Sequence, residues 1–293
     1  MPSLQVVKQF VTELISRRDA PRVPEPNLVM DDPEQARAFR EAGLEQGVMA
    51  PVYLFHTINV CEVIRAGDTV LDLGCGPANQ LAMIARLNPQ TRFIGLDLSD
   101  EMLELAQERV DSQGLTNVDF RREDITRLDS IVDASMDAVF STVALHQLPD
   151  KAAFNAVFQQ IARVLKPGGG VYLVDFGHLK TEQAIDYFAH QYVDRQPEIF
   201  TRDYHNSLRA AFDRADWVDA RRKYLASAAS FYSMFVMPYM VAVKSAARRV
   251  PDDSLRVQFG EMFNQMPDWH QRDFRDLQTL FRLGGLKLPH FPH

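Results

Sequence analysis

The stretch Thr69-Val-Leu-Asp-Leu-Gly-Cys-Gly-Pro-Ala-Asn-Gln80 decides how this chain of 293 residues folds. Val70, Leu71 and Leu73 read as a buried strand, and Gly74 and Gly76 as a tight turn whose backbone N–H groups can approach a ligand closely. Leu81-Ala-Met-Ile-Ala-Arg-Leu87 then opens a helix at once. Strand, glycine turn and helix N-terminus in that order form a site for a polar or anionic group. A dinucleotide fingerprint needs a third glycine for helix–strand packing and for room at the pyrophosphate. Here Gly76 is followed by Pro77, Ala78 and Asn79. The strand also carries Asp72, two residues before the first glycine. A carboxylate there would repel a pyrophosphate and suits the ammonium of an amino-acid moiety.

The rest of the unit agrees. Thr91-Arg-Phe-Ile-Gly-Leu-Asp97 predicts a second strand ending in an acid 21 residues after Gly76. A doubly wound unit places the carboxylate that accepts from a ribose diol at this distance. Ser99 caps a helix whose apolar face begins at Met102. Val118-Asp-Phe-Arg-Arg-Glu-Asp-Ile125 is a short strand ending in Asp124, Met136–Thr142 a fourth strand, and Val164–Asp175 the lead-in and fifth.

These five signals, over roughly residues 50 to 180, resemble the class I S-adenosylmethionine-dependent methyltransferases. The resemblance implies an α/β fold: a doubly wound, seven-stranded, mostly parallel sheet with an N-terminal helical cap and a C-terminal helical tail. It implies S-adenosyl-L-methionine as cofactor, held by Asp72, Gly74, Cys75, Gly76, Asn79, Asp97, Leu98, Met102, Asp124, Ile125 and Ser141. In that family the acid at Asp124 accepts from the adenine amino group and its neighbour, here Ile125, lies along the ring. The chain departs from the family pattern at Ala78, where many members have glycine, which predicts a narrower approach to the donor's amino-acid end. It also lacks an asparagine-proline-proline-aromatic tetrad after the fourth strand, which speaks against amino groups of adenine, cytosine or glutamine as acceptors. No acidic cluster for a divalent metal follows, so the expected metal set is none.

Composition fits a soluble enzyme. Hydrophobic residues at 46% and charged residues at 24% are ordinary globular values. A net charge of −7 argues against a nucleic-acid partner, which needs a concentrated basic face. Arg221-Arg-Lys223 and Arg248-Arg249 read as solvated strand ends. Cys61 and Cys75 lack metal-ligand spacing, and two cysteines in this length fit a reducing compartment. Cys75, between the turn glycines, reads as packing and not as a nucleophile. No signal pattern or membrane-spanning apolar run appears, so the expected location is cytoplasmic, with no membrane partner. A homodimer stays open.

Organisation follows. Residues 1–50 are expected to form the helical cap, with helices at Leu4–Ile15 and from Asp32, then a third helix from about Val52 to Val63. Residues 51–246 are expected to be the cofactor-binding methyltransferase domain, and 247–293 a helical extension packed on it. Asp203–Phe212 is expected to be the last helix on the sheet, followed by closing strands near Lys223–Ser227 and Tyr239–Lys244. Asp252–Leu283 is helical in pattern, broken near Pro267, with Phe274, Leu277 and Phe281 on one face and Gly284-Gly285 as its stop.

The chemistry of such a fold is modest, because a sulfonium already activates its methyl group; the protein must desolvate the donor, align a small-molecule acceptor and, if needed, take a proton. His146, after the fourth strand, is the expected general base, since imidazole titrates near neutral pH. Tyr53 and His56, on the helix before the first strand, are the other expected catalytic groups; a tyrosine face suits a sulfonium by cation–π attraction. Asp175 and His178 follow the fifth strand, and Phe231, Tyr232, Phe235 and Tyr239 could wall a substrate pocket. The acceptor atom, O, N, S or C, stays open. Two rivals accompany this reading: intramolecular cyclisation of the same donor with release of methylthioadenosine, and a non-catalytic partner that keeps the cofactor fold. Asp72, Asp97 and Asp124 are all present, against the expectation for the latter.

Overall fold

The computed structural model describes residues 4–250, 252–288 and Phe291. Residues 1–3 of the predicted cap and 251, 289, 290, 292 and 293 of the predicted tail lie outside them. In chain order the elements begin with α1 (Leu4–Ile15), α2 (Pro33–Ala42), α3 (Ala50–Val63), β1 (Thr69–Leu73), α4 (Asn79–Leu87) and β2 (Arg92–Asp97). They continue with α5 (Asp100–Ser112), β3 (Val118–Arg122), β4 (Met136–Thr142), α6 (Lys151–Val164) and β5 (Leu165–Phe176). The chain ends with α7 (Glu182–Ala189), α8 (Glu198–Ala210), α9 (Arg214–Tyr224), β6 (Ala229–Ser233), β7 (Met240–Ser245), α10 (Asp253–Gln265) and α11 (Asp268–Leu283).

The seven strands lie in the order β3-β2-β1-β4-β5-β7-β6. The first five are mutually parallel, and the β6–β7 pair adds antiparallel to β5. Strand residues alternate between two cores, as a pleat of period two requires. Val70, Phe93, Phe140, Tyr172 and Val174 meet α3, α4 and the C-terminal helices on one face. Leu71, Ile94, Val139 and Leu173 meet α6 and α9 on the other. Strand order reverses between β1 and β4, and the carboxyl ends of these strands frame the cleft described below.

Two expectations for the last third need correction. α8 is not the last helix, because α9 follows it, started by a capping box of Asp213 and Asp216 and held down by the buried Trp217 and Ala220. The run Arg221-Arg-Lys223 is therefore the last turn of α9, where basic residues meet the helix dipole favourably, and the edge strand begins only at Ala229. Arg248 is not a solvated strand end either. Its guanidinium pairs with Asp68 at 2.5 Å in a mostly buried site. The tail is helical and broken before Asp268 as expected, with Phe274, Leu277 and Phe281 buried.

Two anchors fix the flanking segments. α3 is buried along nearly its whole length between sheet and α11, and a Glu62–Lys244 pair (2.5 Å), joined by Asn59, ties it to β7. Glu13 of α1 is 1% exposed, and its carboxylate accepts from Lys180 N, Thr181 N and the Thr181 hydroxyl at the start of α7. An acid at a helix N-terminus is favoured by the orphan N–H groups and the dipole there.

Candidate active site

The glycine turn after β1 is built around close approach. Gly74 has φ +72°, and a Cβ placed on it would stand 2.6 Å from the Ala144 Cβ, so the exits of β1 and β4 can touch only through glycine. Gly76, at φ +51°, turns its N–H onto Asp97 Oδ2 at 2.9 Å. Asp97 Oδ1 accepts from Ser99 N at 3.0 Å. The carboxylate at the end of β2 thus braces both loops around it. Burial raises the Asp97 pKa above its ordinary value, and the N–H bonds from Ser99 and Gly76 only partly offset this.

The resulting cleft has two connected halves that share Leu28, Gly74, Asp97, Ala144 and Gln147. The first half is lined by Tyr53, Asp72, Gly74, Cys75, Gly76, Asn79 and Met102, together with Phe39 and Thr142. The second is more apolar and is lined by Leu98, Asp124, Ile125, Leu148 and Pro149. Asp124 Oδ1 is engaged by Thr126, whose N–H and hydroxyl donate at 2.8 and 2.7 Å.

Asp72 is the most informative group in the cleft. It is 5% exposed and, among the described residues, has no hydrogen-bond donor and no cation against it. Burial and the nearby Asp97 push its pKa well above the carboxylate range. Two further acceptors are orphaned in the same half: Asn79 Oδ1, whose amide N is occupied by Arg40 O at 2.8 Å, and Thr142 Oγ1. A buried carboxylate and unpaired polar atoms each cost free energy unless a partner arrives. The site is therefore built for a cationic donor group on a ligand. Tyr53, buried beside Asp72, has its phenol pKa raised by burial and by that carboxylate. Burial, then Asp97 and Asp72, hold Cys75 protonated, which leaves it no nucleophilic character.

Most residues expected at the cofactor line this cleft, but Ser141, His56, His146 and Ala78 do not. Ser141 is fully buried and donates to Leu73 O at 2.7 Å, stitching β4 to β1; its neighbour Thr142 faces the cleft instead. His56 is fully buried on the inner side of α3, shares a hydrogen bond with the Tyr172 hydroxyl at 2.7 Å and packs on Phe55 and Phe281. Burial lowers its pKa to about 3, so it sits in the core as a neutral group away from the cleft. His146 is 3% exposed and does not line the cleft, although Ala144 and Gln147 on either side of it do. Its imidazole turns inward onto Asp175, with Nε2 3.9 Å from Glu25. Ala78 does not line the cleft either: it is packed in the core at φ +55°, a left-handed conformation that disfavours Ala.

Residues 16–31, the proline-containing loop of the expected cap, form a strap. Ala20 O accepts from His178 Nε2, Val23 N donates to Arg209 O, and Met30 O accepts from Ser99 Oγ. The strap thereby crosses the carboxyl end of the sheet and sets Leu28, Val29 and Met30 on the cleft. Its sequence signals are the loop prolines Pro21, Pro24 and Pro26 and the apolar run Leu28-Val-Met30 between Asn27 and Asp31, too short for a period. Val143, a β-branched residue at φ +54° on the β4 exit, is a second mark of the site. Strain of this kind persists where surrounding structure dictates it, commonly at ligand sites.

Comparison with known proteins gives a consistent picture. A methyltransferase-domain family model matches residues 64–219, just over half of the chain. An arsenite methyltransferase of Halobacterium salinarum is 36% identical over 110 residues, which are 37% of this chain and 27% of that protein. A 27-O-demethylrifamycin SV methyltransferase of Amycolatopsis mediterranei is 36% identical over 114 residues, 39% of this chain and 40% of that protein. The chain thus matches well under half the length of these curated relatives. A crystal structure of a SAM-dependent methyltransferase from Aquifex aeolicus shares the fold, with a TM-score of 0.53 at 15% identity, over 73% of this chain and 97% of that one.

Proposed function

The chain belongs to the methyltransferase-domain family, and on that premise we propose that it transfers the methyl group of S-adenosyl-L-methionine to a small-molecule acceptor. The observation that carries this reading is Asp72, a buried carboxylate without a partner at the foot of the glycine turn. It suits the ammonium of the donor, and Asn79 Oδ1 is a second waiting acceptor. Asp97 holds the ribose hydroxyls with the lone pairs left over from Gly76 and Ser99. Leu98, Asp124 and Ile125 form the adenine end.

The bound donor supplies an already activated methyl group. What the protein adds is orientation and exclusion of water. Tyr53 presents an aromatic face to positive charge beside Asp72, and Phe39 and Thr142 make the wall on the acceptor side. Residues 1–50 serve as the cap, and their strap closes the cleft. His146 acts through the loop it anchors and takes no proton from the acceptor. The acceptor reaches the cleft as a neutral amine, a thiolate or another group that needs no base from the protein.

Product analysis tests the proposal. Protein incubated with S-adenosyl-L-methionine and pooled small amines, thiols, acids and phenols should release S-adenosylhomocysteine in an acceptor-dependent manner, lost in Asp72→Ala. Release of methylthioadenosine, or of neither product, would replace this reading with one of its rivals. Among the described residues no helix is long and apolar enough to cross a membrane.

A further inference from the structure

We infer that Arg22, which does not itself line the cofactor cleft, is a positioning residue for its adenine end. Its guanidinium pins the loop after β4 to the strap and thereby makes adenine affinity depend on the N-terminal segment. This rests on the cleft being a site for S-adenosyl-L-methionine, as proposed above.

Arg22 spends its donors on backbone carbonyls. Nε donates to Ala210 O at 2.8 Å, Nη1 to Pro149 O at 2.9 Å, and Nη2 to Leu148 O at 2.6 Å and His146 O at 3.3 Å. The guanidinium lies over the Phe212 ring, 3.9 Å from its centroid. Burial lowers its pKa, while Asp216 and Asp150 work against that from further off. A half-buried cation with three carbonyl contacts to one short loop and a fourth at the end of α8 fixes the course of that loop.

The loop needs such a pin. Residues 143–150 contain only a three-residue 3-10 turn, Leu145–Gln147, which leaves carbonyls without partners of their own. A planar fork of five N–H donors can satisfy several carbonyls at once, which a lysine ammonium cannot match in geometry. Two of the residues whose carbonyls Arg22 holds, Leu148 and Pro149, line the adenine half of the cleft, and Gln147 between His146 and Leu148 lines both halves. Six residues beyond Arg22 the same strap delivers Leu28 to both halves. Leu28, Leu148 and Pro149 therefore form one wall held from a single side chain. Asp72 and Asn79, at the amino-acid end, share no hydrogen bond with these groups. The pin should act chiefly on the adenine end, where Leu28, Leu148 and Pro149 meet.

The test titrates S-adenosylhomocysteine and adenosine into the full-length protein and three variants by calorimetry. In Arg22→Ala, affinity for both ligands should fall at least tenfold and by the same factor. In Arg22→Lys it should fall at least threefold, again equally, with the melting midpoint close to that of the parent. Asp72→Asn should weaken S-adenosylhomocysteine and leave adenosine within twofold. Arg22→Lys covers the case in which the alanine variant does not fold. If the parent protein binds neither ligand, the cofactor reading itself fails. If the parent binds both and the Arg22 variants match it within twofold, or if they lose S-adenosylhomocysteine but keep adenosine, Arg22 is structural only and the inference is overturned.

Discussion

Asp175 holds His146 from two directions. Its Oδ1 accepts from the imidazole Nδ1 at 2.8 Å and its Oδ2 from the His146 backbone N–H at 2.9 Å. Burial alone would lower the His146 pKa, but Asp175, and behind it Glu25 of the strap and Asp203 of α8, raise it above the ordinary value. An imidazole tied to a buried carboxylate and turned away from the cleft is well placed to latch its loop.

This gives a pH signature. A histidine whose folded pKa exceeds its unfolded value of about 6.5 stabilises the fold fully below that pH. The stabilisation disappears as pH rises through the folded value. His146→Ala should therefore cost roughly 3–5 kcal/mol at pH 6, the range for breaking a buried charged pair, and less at pH 9. Melting midpoints of parent and variant across this range supply the measurement. A difference that stays constant with pH, together with turnover per folded molecule reduced 10²-fold or more, would restore His146 as a general base.

Asp72 predicts a trade between stability and binding. Its folded pKa lies well above the ordinary carboxylate value because of burial and Asp97. Its ionised form is therefore disfavoured in the free protein, and stability falls as pH rises from about 3.9 toward the folded value. Asp72→Asn removes that penalty. The ligand-free variant should melt higher than the parent at pH 7 while its affinity for S-adenosylhomocysteine drops at least tenfold. A lower melting temperature with unchanged affinity would mean that Asp72 has a structural partner and not a ligand.

The strap should respond to ligand. Its ties run through Asp19 and Ala20 N–H to Lys180 O, Val23 N–H to Arg209 O, Ser99 Oγ to Met30 O and the Arg22 guanidinium to the loop after β4, with few buried side chains of its own. Such segments open locally at low free energy. Hydrogen exchange at residues 17–31 should slow several-fold on addition of S-adenosylhomocysteine, with α10 unchanged as an internal control. Equal exchange with and without ligand would remove the cap from the account.

How much of this was legible in the sequence depends on whether the signal was local. The β1–glycine turn–α4 unit and Asp97 at the end of β2 follow from spacing, because a doubly wound unit fixes where a strand-end acid falls. Ser141 and Thr142 show the limit: a shift of one residue exchanges the two faces of a strand, and nothing in Met136–Thr142 marks which neighbour faces the cleft. His146 and His56 look alike in sequence as candidate bases, yet their surroundings are set by what lies opposite them, Asp175 and Tyr172, 29 and 116 residues away respectively. The start of β6 is missed because the basic run ending at Lys223 closes a helix whose evidence lies upstream, at Asp213 and Trp217. The path of the strap escapes detection for a plainer reason: its order comes from backbone hydrogen bonds and one arginine, neither of which leaves a periodic trace.

Calorimetric titration of S-adenosylhomocysteine into the parent protein and into Asp97→Ala tests the central claim most directly. Asp97 sits at the junction of both halves of the cleft, with charge-assisted hydrogen bonds worth roughly 1.5–3 kcal/mol each available to a ribose. The parent should show saturable one-to-one binding and the variant at least a tenfold loss, with the variant still folded by circular dichroism. No binding to the parent, or equal binding to both proteins, would contradict it.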